Sequence, residues 1–376
     1  MSPLGAAEAA GLARARELAC NGRGRVSPNP LVGAVILRGG RLVAEGWHDG
    51  PGLPHAEIVA LRAAGGQARG ATLVCTLEPC SHFGRTPPCT TALIGAGLAR
   101  VVVGCLDPLE RTRGSGVRIL REAGLEVALA DGEDERRSRE LIDAFLTTAI
   151  RGRPHVMLKL ATSLDGKVAT RTGESQWITG PEARALVHRL RADHDAVAVG
   201  IGTALADDPQ LTARGLAGPV RQPVRVVFDS FARLPLDSAL VRGARGLPVY
   251  VAVGANAPWD RVTELQAAGV EVMAFATLRP EVPAVLAALA ERGIQSVLVE
   301  GGAGLAGAFV EAGAVDVVRW FIAPILVGGD QAPAALGGVG LARLADAARL
   351  HEPDVIRLGS DILCGGRLIE LPQTED

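Results

Sequence analysis

Apolar residues recur with helical spacing over residues 6–20 and stop at Asn21-Gly22, which predicts a first helix. Residues 32–37 and 42–47 form two strand-like apolar runs joined by Arg38-Gly39-Gly40-Arg41, a turn composition typical of a β-hairpin. From His55 onward the pattern alternates between helical and strand-like spacing. The chain therefore begins as an α/β protein.

The alternation continues with predicted strands at residues 71–76, 101–105 and 126–128 and predicted helices at 55–61, 90–98 and 116–123. Residues 131–150 have the pattern of one charged helix, which Arg151-Gly152-Arg153-Pro154 would end. Helices on both sides of a central sheet are expected from this order. We place a domain boundary here, with a first domain at 1–150 and a second at 151–376.

The second half has the same character. A strand is predicted at residues 155–161, a loop at 162–167, and a helix that begins at Pro181. Further strands are predicted at 196–199, 224–228, 249–253, 270–274, 296–299, 315–321, 355–358 and 367–371. Helical runs separate several of them, which again indicates an α/β layer.

Composition narrows the class of protein. The chain has 376 residues, 48% of them apolar, which is enough for two cores. Its net charge of −2 offers no basic face, so neither nucleic acid nor a membrane surface is an expected partner. No apolar run reaches the ~18 residues of a membrane span, and the first residues lack a signal-peptide pattern. With cysteines expected to stay reduced, we expect a cytoplasmic protein.

Candidate chemistry concentrates between His55 and Cys89. His55, Cys80 and Cys89 offer one nitrogen and two sulfurs, the donor set of a catalytic zinc with one open position. Glu57 is then free to act as general acid and base. Zinc deaminases carry this H-x-E and P-C-x-x-C pattern, although here eight residues separate the two cysteines.

Other interpretations stay open at this point. Any single cysteine is as readily a small buried apolar residue. A structural zinc site would need a fourth ligand, for which Cys75, His82 and His48 are candidates. The rival functions are a nucleoside or tRNA deaminase with an accessory domain and a non-catalytic zinc-binding module.

A glycine-rich turn in the second half is a weaker signal. The predicted strand at 296–299 leads to Gly302-Ala303-Gly304-Leu305-Ala306-Gly307, a G-x-G-x-x-G that opens a helix and could hold a pyrophosphate. The acidic residue that binds the ribose of NAD is missing, which favours NADP. The alternative is a glycine turn required for close strand–helix packing.

Longer motifs carry a resemblance. Thr76-Leu77-Glu78-Pro79-Cys80-Ser81-His82 with Gly84-Arg85-Thr86-Pro87-Pro88-Cys89, and later Ser163-Leu164-Asp165-Gly166 and Ser175-Gln176-Trp177-Ile178-Thr179, resemble the bifunctional riboflavin-biosynthesis deaminase–reductase family. The resemblance implies a cytidine-deaminase-like three-layer domain followed by a dihydrofolate-reductase-like α/β domain. It also implies deamination of a phosphoribosylamino diaminopyrimidinone, then reduction of its ribosyl group to ribityl by NADPH.

Family positions match residue by residue. The resemblance implies one Zn²⁺ per chain on His55, Cys80 and Cys89, with Glu57 as the proton carrier. It implies that NADPH is bound by Ala161, Trp177, Thr203, Asp207, Ser230, Gly302, Ala303, Gly304, Leu305 and Gly307. Substrate would contact Asn29, His48 and Arg85 in the first domain and Ser175, Arg191, Leu211, Arg214 and Glu300 in the second.

Three further expectations complete the prediction. Lys159 and Asp165 are candidates for contact with the sugar carbonyl or the phosphate, with solvated charges as the alternative. The family often has Asp-Pro-Asn-Pro where this chain has Asp107-Pro108-Leu109-Glu110, which removes one expected substrate contact. We expect a homo-oligomer of unstated size that acts on a small phosphorylated pyrimidine.

Overall fold

A computed structural model describes residues 4–84, 87–110, 112–218 and 220–371. Two compact units divide the chain after Gly152, and Leu371 returns to the first unit. The assignment of functional domains to 1–150 and 151–376 stays a prediction. In the described part of the chain, no helix has the length and apolar character that crossing a bilayer requires.

The first unit alternates helices and strands around one sheet. Its elements are α1 (Ala6–Ala19), β1 (Gly33–Arg38), β2 (Arg41–Trp47), α2 (Ala56–Ala64), β3 (Thr72–Cys75), α3 (Cys89–Gly95), β4 (Arg100–Val103), α4 (Ser115–Glu122), β5 (Glu126–Leu129), α5 (Gly132–Leu141) and α6 (Asp143–Arg151). Within the described residues the sheet has the order β2-β1-β3-β4-β5. The predicted hairpin is β1 and β2, which pair antiparallel, whereas β3, β4 and β5 run parallel.

Each face of this sheet has its own core, which makes the unit three-layered. On one face Leu12, Ala15 and Leu18 of α1 pack against Val35 and Val74. The other face buries side chains of α2, α3 and α4 in a separate cluster. Alternate strand residues therefore face opposite helix layers.

Helix α2 lies unusually close to the sheet. A Cβ built on Gly46 of β2 would come within 2.5 Å of the carbonyl oxygen of Ala56. Only glycine allows this approach of two backbones. The first turn of α2, where the predicted metal ligand and proton carrier lie, is thereby fixed against β2.

The prediction of one helix over residues 131–150 was wrong. The helix is interrupted at Ile142, whose φ and ψ are −105° and 21°. Ile142 is 2% exposed and belongs to the core with Leu146. Burial of Ile142 redirects the chain between a highly polar α5 and a more apolar α6, a tertiary effect that local pattern does not contain.

The second unit contains a larger sheet. Its elements are β6 (His155–Ser163), α7 (Pro181–Asp193), β7 (Ala196–Gly200), α8 (Ile201–Asp207), β8 (Val224–Phe228), α9 (Ala239–Arg242), β9 (Val249–Val253), α10 (Trp259–Ala267), β10 (Glu271–Ala274), α11 (Val282–Glu291), β11 (Ser296–Val299), α12 (Ala303–Glu311), β12 (Val317–Ala323), β13 (His351–Leu358) and β14 (Asp361–Arg367). Among the described residues the strand order is β10-β9-β8-β7-β11-β6-β12-β14-β13. Strand β14 pairs antiparallel with both β12 and β13, and all other neighbouring strands pair parallel.

Two strand predictions in this unit need correction. Thr162 and Ser163, predicted in a loop, continue β6 and pair with β12. The last strand is β14, at Asp361–Arg367, rather than residues 367–371. Its Gly365 pairs with Arg319 on one side and Asp354 on the other, and a Cβ there would come within 2.0 Å of Arg319 Nη1. The glycines that look like a strand break allow Arg319 to cross β14 to Asp354.

Candidate functional site

The predicted metal ligands converge in the first unit. His55 immediately precedes α2, Cys80 follows β3, and Cys89 begins α3. His55 Nδ1 lies 3.2 Å from Cys89 Sγ and 3.5 Å from Cys80 Sγ. The backbone N–H of Cys89 also donates to Cys80 Sγ at 3.3 Å, so the residue that opens α3 orients the other cysteine.

These donors fit zinc. All three donor atoms lie within 4.8 Å of one another. Tetrahedral Zn–N and Zn–S bonds place ligand atoms about 3.5–3.8 Å apart, close to the observed spacing. In the part of the chain that the structure describes, no further His, Cys, Asp or Glu joins the group. Two of the candidate fourth ligands have other partners. The Cys75 thiol donates to the carbonyl oxygen of Val102, and His48 Nδ1 lies 3.1 Å from the carbonyl oxygen of Pro54.

The sulfurs are electrostatically unequal. The pKa of Cys80 is lowered to about 4 because its sulfur accepts hydrogen bonds from the Cys89 thiol, from His55 and from the Cys89 amide. The same contact raises the pKa of Cys89, which supplies the proton. The hydrogen bond to Cys80 raises the pKa of His55. The cluster thus already stabilises one thiolate, the form in which cysteine binds metal.

Glu57 lies two residues after His55 in the first turn of α2 and is 3% exposed. Burial raises the pKa of its carboxyl, and the nearby His55 partly opposes the shift. A buried carboxyl beside the ligands is suited to receive a proton and release it.

A cavity of ≈ 370 Å³ opens beside this cluster. Its lining includes Asn29, His48, His55, Glu57, Leu77, Glu78, Cys80, His82, Asp107, Leu109 and Phe145. Two predicted substrate residues therefore border the same space as the ligands and Glu57. The third, Arg85, lies outside the described residues.

Asn29 and His48 are fixed relative to each other. His48 Nδ1 faces the Pro54 carbonyl oxygen, which can only accept, so this nitrogen carries the proton. His48 Nε2 then accepts from Asn29 Nδ2 at 2.9 Å. Burial lowers the pKa of His48, which favours the neutral ring. The amide nitrogen of Asn29 is thus engaged by His48, whereas its amide oxygen is available to other partners.

Sequence reasoning missed the role of Glu78. Its carboxylate is 5% exposed and accepts hydrogen bonds from the backbone N–H groups of Asp107, Gly114, Gly116 and Val117. The signal was available, since an acidic residue stands between a buried strand and the Pro79-Cys80 pair.

Three predicted polar residues lie together in the second unit. Arg191 on α7 makes two hydrogen bonds, of 2.6 and 2.8 Å, with Glu300 at the end of β11. Burial alone would raise the pKa of Glu300, but the bonds from Arg191 outweigh it and lower the pKa. Burial lowers the pKa of Lys159, an effect that Glu300 opposes, and its Nζ lies 5.7 Å from the ring centroid of Phe321.

Several predicted cofactor and substrate residues also meet. Ser175 Oγ donates to Asp207 at 3.2 Å. Trp177 is 70% exposed, and the guanidinium of Arg184 lies 4.8 Å from its ring centroid. Thr203 Oγ1 lies 2.8 Å from where a Cβ on Gly302 would be, so α8 borders the glycine-rich turn. Their binding roles stay predictions.

Other predicted residues have clear structural surroundings. Leu211 is 2% exposed and belongs to the core. Gly307 approaches the Gly337 backbone so closely that a Cβ would lie 2.2 Å from its carbonyl oxygen, as the packing alternative for the glycine-rich turn expects. Asp165 accepts from the N–H groups of Val327 and Gly328, and its pKa is lowered to about 2, chiefly by a hydrogen bond from Ser163.

The remaining predicted positions are spread over the unit. Ala161 lies on β6, Ser230 follows β8, and Arg214 donates to Gln210 on an exposed surface. Gly302, Ala303, Gly304 and Leu305 form the beginning of α12, where Gly302 has φ +66°.

Comparison with known proteins is decisive at this point. Residues 8–105 match the model of the cytidine and deoxycytidylate deaminase zinc-binding region, and residues 154–364 match the RibD C-terminal domain. Riboflavin biosynthesis protein RibD of Bacillus amyloliquefaciens is 42% identical over 92% of this chain and 92% of its own length. The chain belongs to the RibD family. The RibD of Escherichia coli is 39% identical, over 93% of this chain and 96% of its own.

Solved RibD structures agree in fold. Acinetobacter baumannii RibD, form 1, has a TM-score of 0.85 and 40% identity, covering 96% of this chain and 98% of its own. A Thermotoga maritima protein, named a diaminohydroxyphosphoribosylaminopyrimidine deaminase/5-amino-6-(5-phosphoribosylamino)uracil reductase, has a TM-score of 0.81 and 37% identity, with coverage of 96% and 98%.

RibD membership confirms the predicted family, fold class and type of enzyme. The chain is a bifunctional deaminase and reductase of riboflavin biosynthesis. Zinc is the cofactor of its deaminase activity and NADPH that of its reductase activity. The binding and catalytic roles of the individual site residues remain predictions from the sequence.

Proposed function

We propose that residues 1–150 hydrolyse the 2-amino group of 2,5-diamino-6-(5-phosphoribosylamino)pyrimidin-4(3H)-one. Residues 151–376 then reduce the ribosyl group of the product to ribityl. One observation carries the first step: His55, Cys80 and Cys89 converge beside buried Glu57 at a cavity of ≈ 370 Å³. The choice of substrate follows the name of the Thermotoga maritima relative.

In the deaminase, His55, Cys80 and Cys89 hold the metal. Zinc, when bound there, supplies Lewis acidity and a hydrolytic nucleophile at neutral pH. Glu57 takes a proton from the attacking water and delivers it to the amino nitrogen that leaves as ammonia. Asn29 and His48 hold the pyrimidine at the cavity wall, where their mutual hydrogen bond fixes the amide.

In the reductase, the protein must place the sugar against the nicotinamide. NADPH would supply a hydride to C1′ of the ribosylamine, where the C1′–O4′ bond breaks and O4′ takes one proton, so that the products are the ribityl chain and NADP⁺. Lys159 presents a partly buried amine beside the Arg191–Glu300 pair, which suits a polar sugar or its phosphate. Ser175, Arg214 and the backbone of Leu211 supply the other substrate contacts.

The same proposal includes a cytoplasmic homo-oligomer. Supporting self-association, β13 lies at the edge of the second sheet, with Val355 70% and Ile356 46% exposed. Apolar side chains on an edge strand favour pairing with another strand. Light scattering should give a mass above the 38.8 kDa of one chain, and a Val355→Lys variant should lower it.

The deciding experiment incubates the full chain with the diaminopyrimidinone phosphate, with and without NADPH. Ammonia should appear in both samples, whereas NADPH should be oxidised only after deamination. Equal rates with NADH would contradict the cofactor assignment. NADPH oxidation before ammonia release would contradict the order of steps.

A further inference from the structure

Glu78 connects two chain segments of the deaminase site. It lies two residues before Cys80, and its own N–H donates to the Cys105 carbonyl oxygen at 2.9 Å. Its two carboxylate oxygens accept four backbone N–H groups at 2.9–3.1 Å, all from residues 107–117. The segment that carries a zinc ligand is thus bonded directly to the segment that carries Asp107 and Leu109 of the cavity wall.

The backbones of these two segments are in close contact. A Cβ on Gly116 would lie 2.1 Å from the carbonyl oxygen of Pro79. A second connection runs beside it, because Ser115 Oγ donates to the Thr112 carbonyl oxygen and Ser81 Oγ lies 2.6 Å from Ser115 Oγ. A shift of Ser115 and Gly116 would therefore move Pro79 and Ser81, the neighbours of Cys80.

A carboxylate is specifically suited to this position. Gly116 and Val117 lie in the first turn of α4, whose N-cap Gly114 has no side chain to accept their N–H groups. Each Glu78 oxygen accepts two donors, so an amide in its place would turn an NH₂ group toward two N–H groups. Helix α4 therefore obtains its capping group from the ligand segment.

We propose that Glu78 is a positioning residue of the deaminase: one carboxylate fixes the Cys80 segment and the cavity-wall residues Asp107 and Leu109 in mutual register. The inference rests on the proposed function of this site. Glu78 acts through Cys80 on the metal and through Asp107 and Leu109 on the substrate.

The test uses the full-length Glu78→Gln variant. Zinc affinity, measured by competition with a chromogenic chelator, should fall about 10–100-fold, the usual effect of losing a partner behind the ligands. KM for deamination should rise, while NADPH-dependent reduction of supplied deaminated intermediate stays at the wild-type rate in the same sample. Glu110→Gln removes the same charge from an exposed residue of the wall segment and should change neither quantity.

Two further variants separate positioning from stability. Leu120→Ala destabilises the same helix from the core side, at a residue one turn beyond the N–H groups that Glu78 accepts. At an equal loss of thermal stability it should leave zinc affinity within about twofold. Ser115→Ala removes only the second connection and should weaken zinc about fivefold, as expected for one hydrogen bond.

The proposal is overturned if Glu78→Gln keeps wild-type zinc affinity and KM, or if Leu120→Ala weakens zinc as much as Glu78→Gln does. Failure of the proposed function gives a different result. In that case the wild-type chain itself would bind no zinc at His55, Cys80 and Cys89 or release no ammonia.

Discussion

The candidate deaminase and reductase sites of this chain are built on opposite plans. In the first unit, His55, Glu57, Cys80 and Cys89 come from a short stretch of sequence and meet within 4.8 Å for the three ligands. In the second, Lys159, Arg191 and Glu300 come from three distant elements, and the ion pair bridges 109 positions. A dense motif marks the first site, whereas scattered single residues mark the second.

The difference follows from what each site must do. A metal ion requires several donors at nearly fixed distances, which local segments provide with the least loss of conformational freedom. A cofactor and a sugar phosphate are held by many weaker contacts over a wide surface. Residues near such a surface also support the fold, as Asp165 does for the turn at Val327 and Gly328.

The largest effect is expected for Glu57→Gln, which tests whether the first site depends on a single proton carrier. Because the site depends on one proton carrier, ammonia release should fall about 10²–10⁴-fold. Bound zinc should stay at the wild-type level, since Glu57 is not a ligand. Elemental analysis and an ammonia assay on the same sample check this, with the reductase rate as internal control. Wild-type deamination in the variant would remove Glu57 from the mechanism.

The second-largest effect is expected in the second unit, where Lys159, Arg191 and Glu300 come from distant elements. Lys159→Met removes a partly buried amine and should lower the reductase rate about 10²-fold, the scale of losing one electrostatic contact. Deamination should be unchanged. Lys167→Met is the matched control, because that lysine donates to the Ala332 carbonyl oxygen and its loss should cost at most a few-fold. Equal losses in both variants would contradict a specific role for Lys159.

The third effect is on stability. Glu300→Gln leaves Arg191 buried without its carboxylate, which should lower the free energy of unfolding of the second unit by about 3–5 kcal/mol. Urea unfolding followed by circular dichroism measures it, independently of any effect on substrate binding. Glu291→Gln, an exposed change in the same unit, should have no effect. A stable Glu300→Gln protein would show that the pair contributes little to the fold.

The smallest effect tests the supporting residues. Asp165→Asn weakens the acceptor for two N–H groups in an exposed turn, so KM for the reduction should change by less than about threefold. Steady-state kinetics beside Asp330→Asn, an exposed neighbour, check this. A loss as large as that of Lys159→Met would place Asp165 at the substrate.

Sequence reasoning worked best where one requirement dominated. The runs at β8, β9 and β11 are mostly apolar and were predicted with their observed bounds, as buried parallel strands allow. It failed where distant contacts decide: the break at Ile142 depends on burial, and Gly365 in β14 depends on Arg319 crossing to Asp354.

The same division holds for the sites. The three residues that converge as candidate zinc ligands were identifiable because imidazole, thiols and a carboxylate in this order have little other use. Glu78 was overlooked because its partners are backbone groups, so its only sequence signal was an acidic residue between a buried strand and the Pro79-Cys80 pair. Leu211 and Gly307 match family positions. In the structure the Leu211 side chain lies in the core, and Gly307 packs against the Gly337 backbone. Neither contact is evident from the sequence.

The two sulfurs that face His55 also create a vulnerability. Soft ions such as Cd²⁺ prefer thiolate donors and compete for such sites on the basis of chemistry rather than shape. Exposure of cells to thiophilic metals should therefore poison ammonia release first. The reduction step, whose unit has Cys364 as its single cysteine in the sequence, should outlast it.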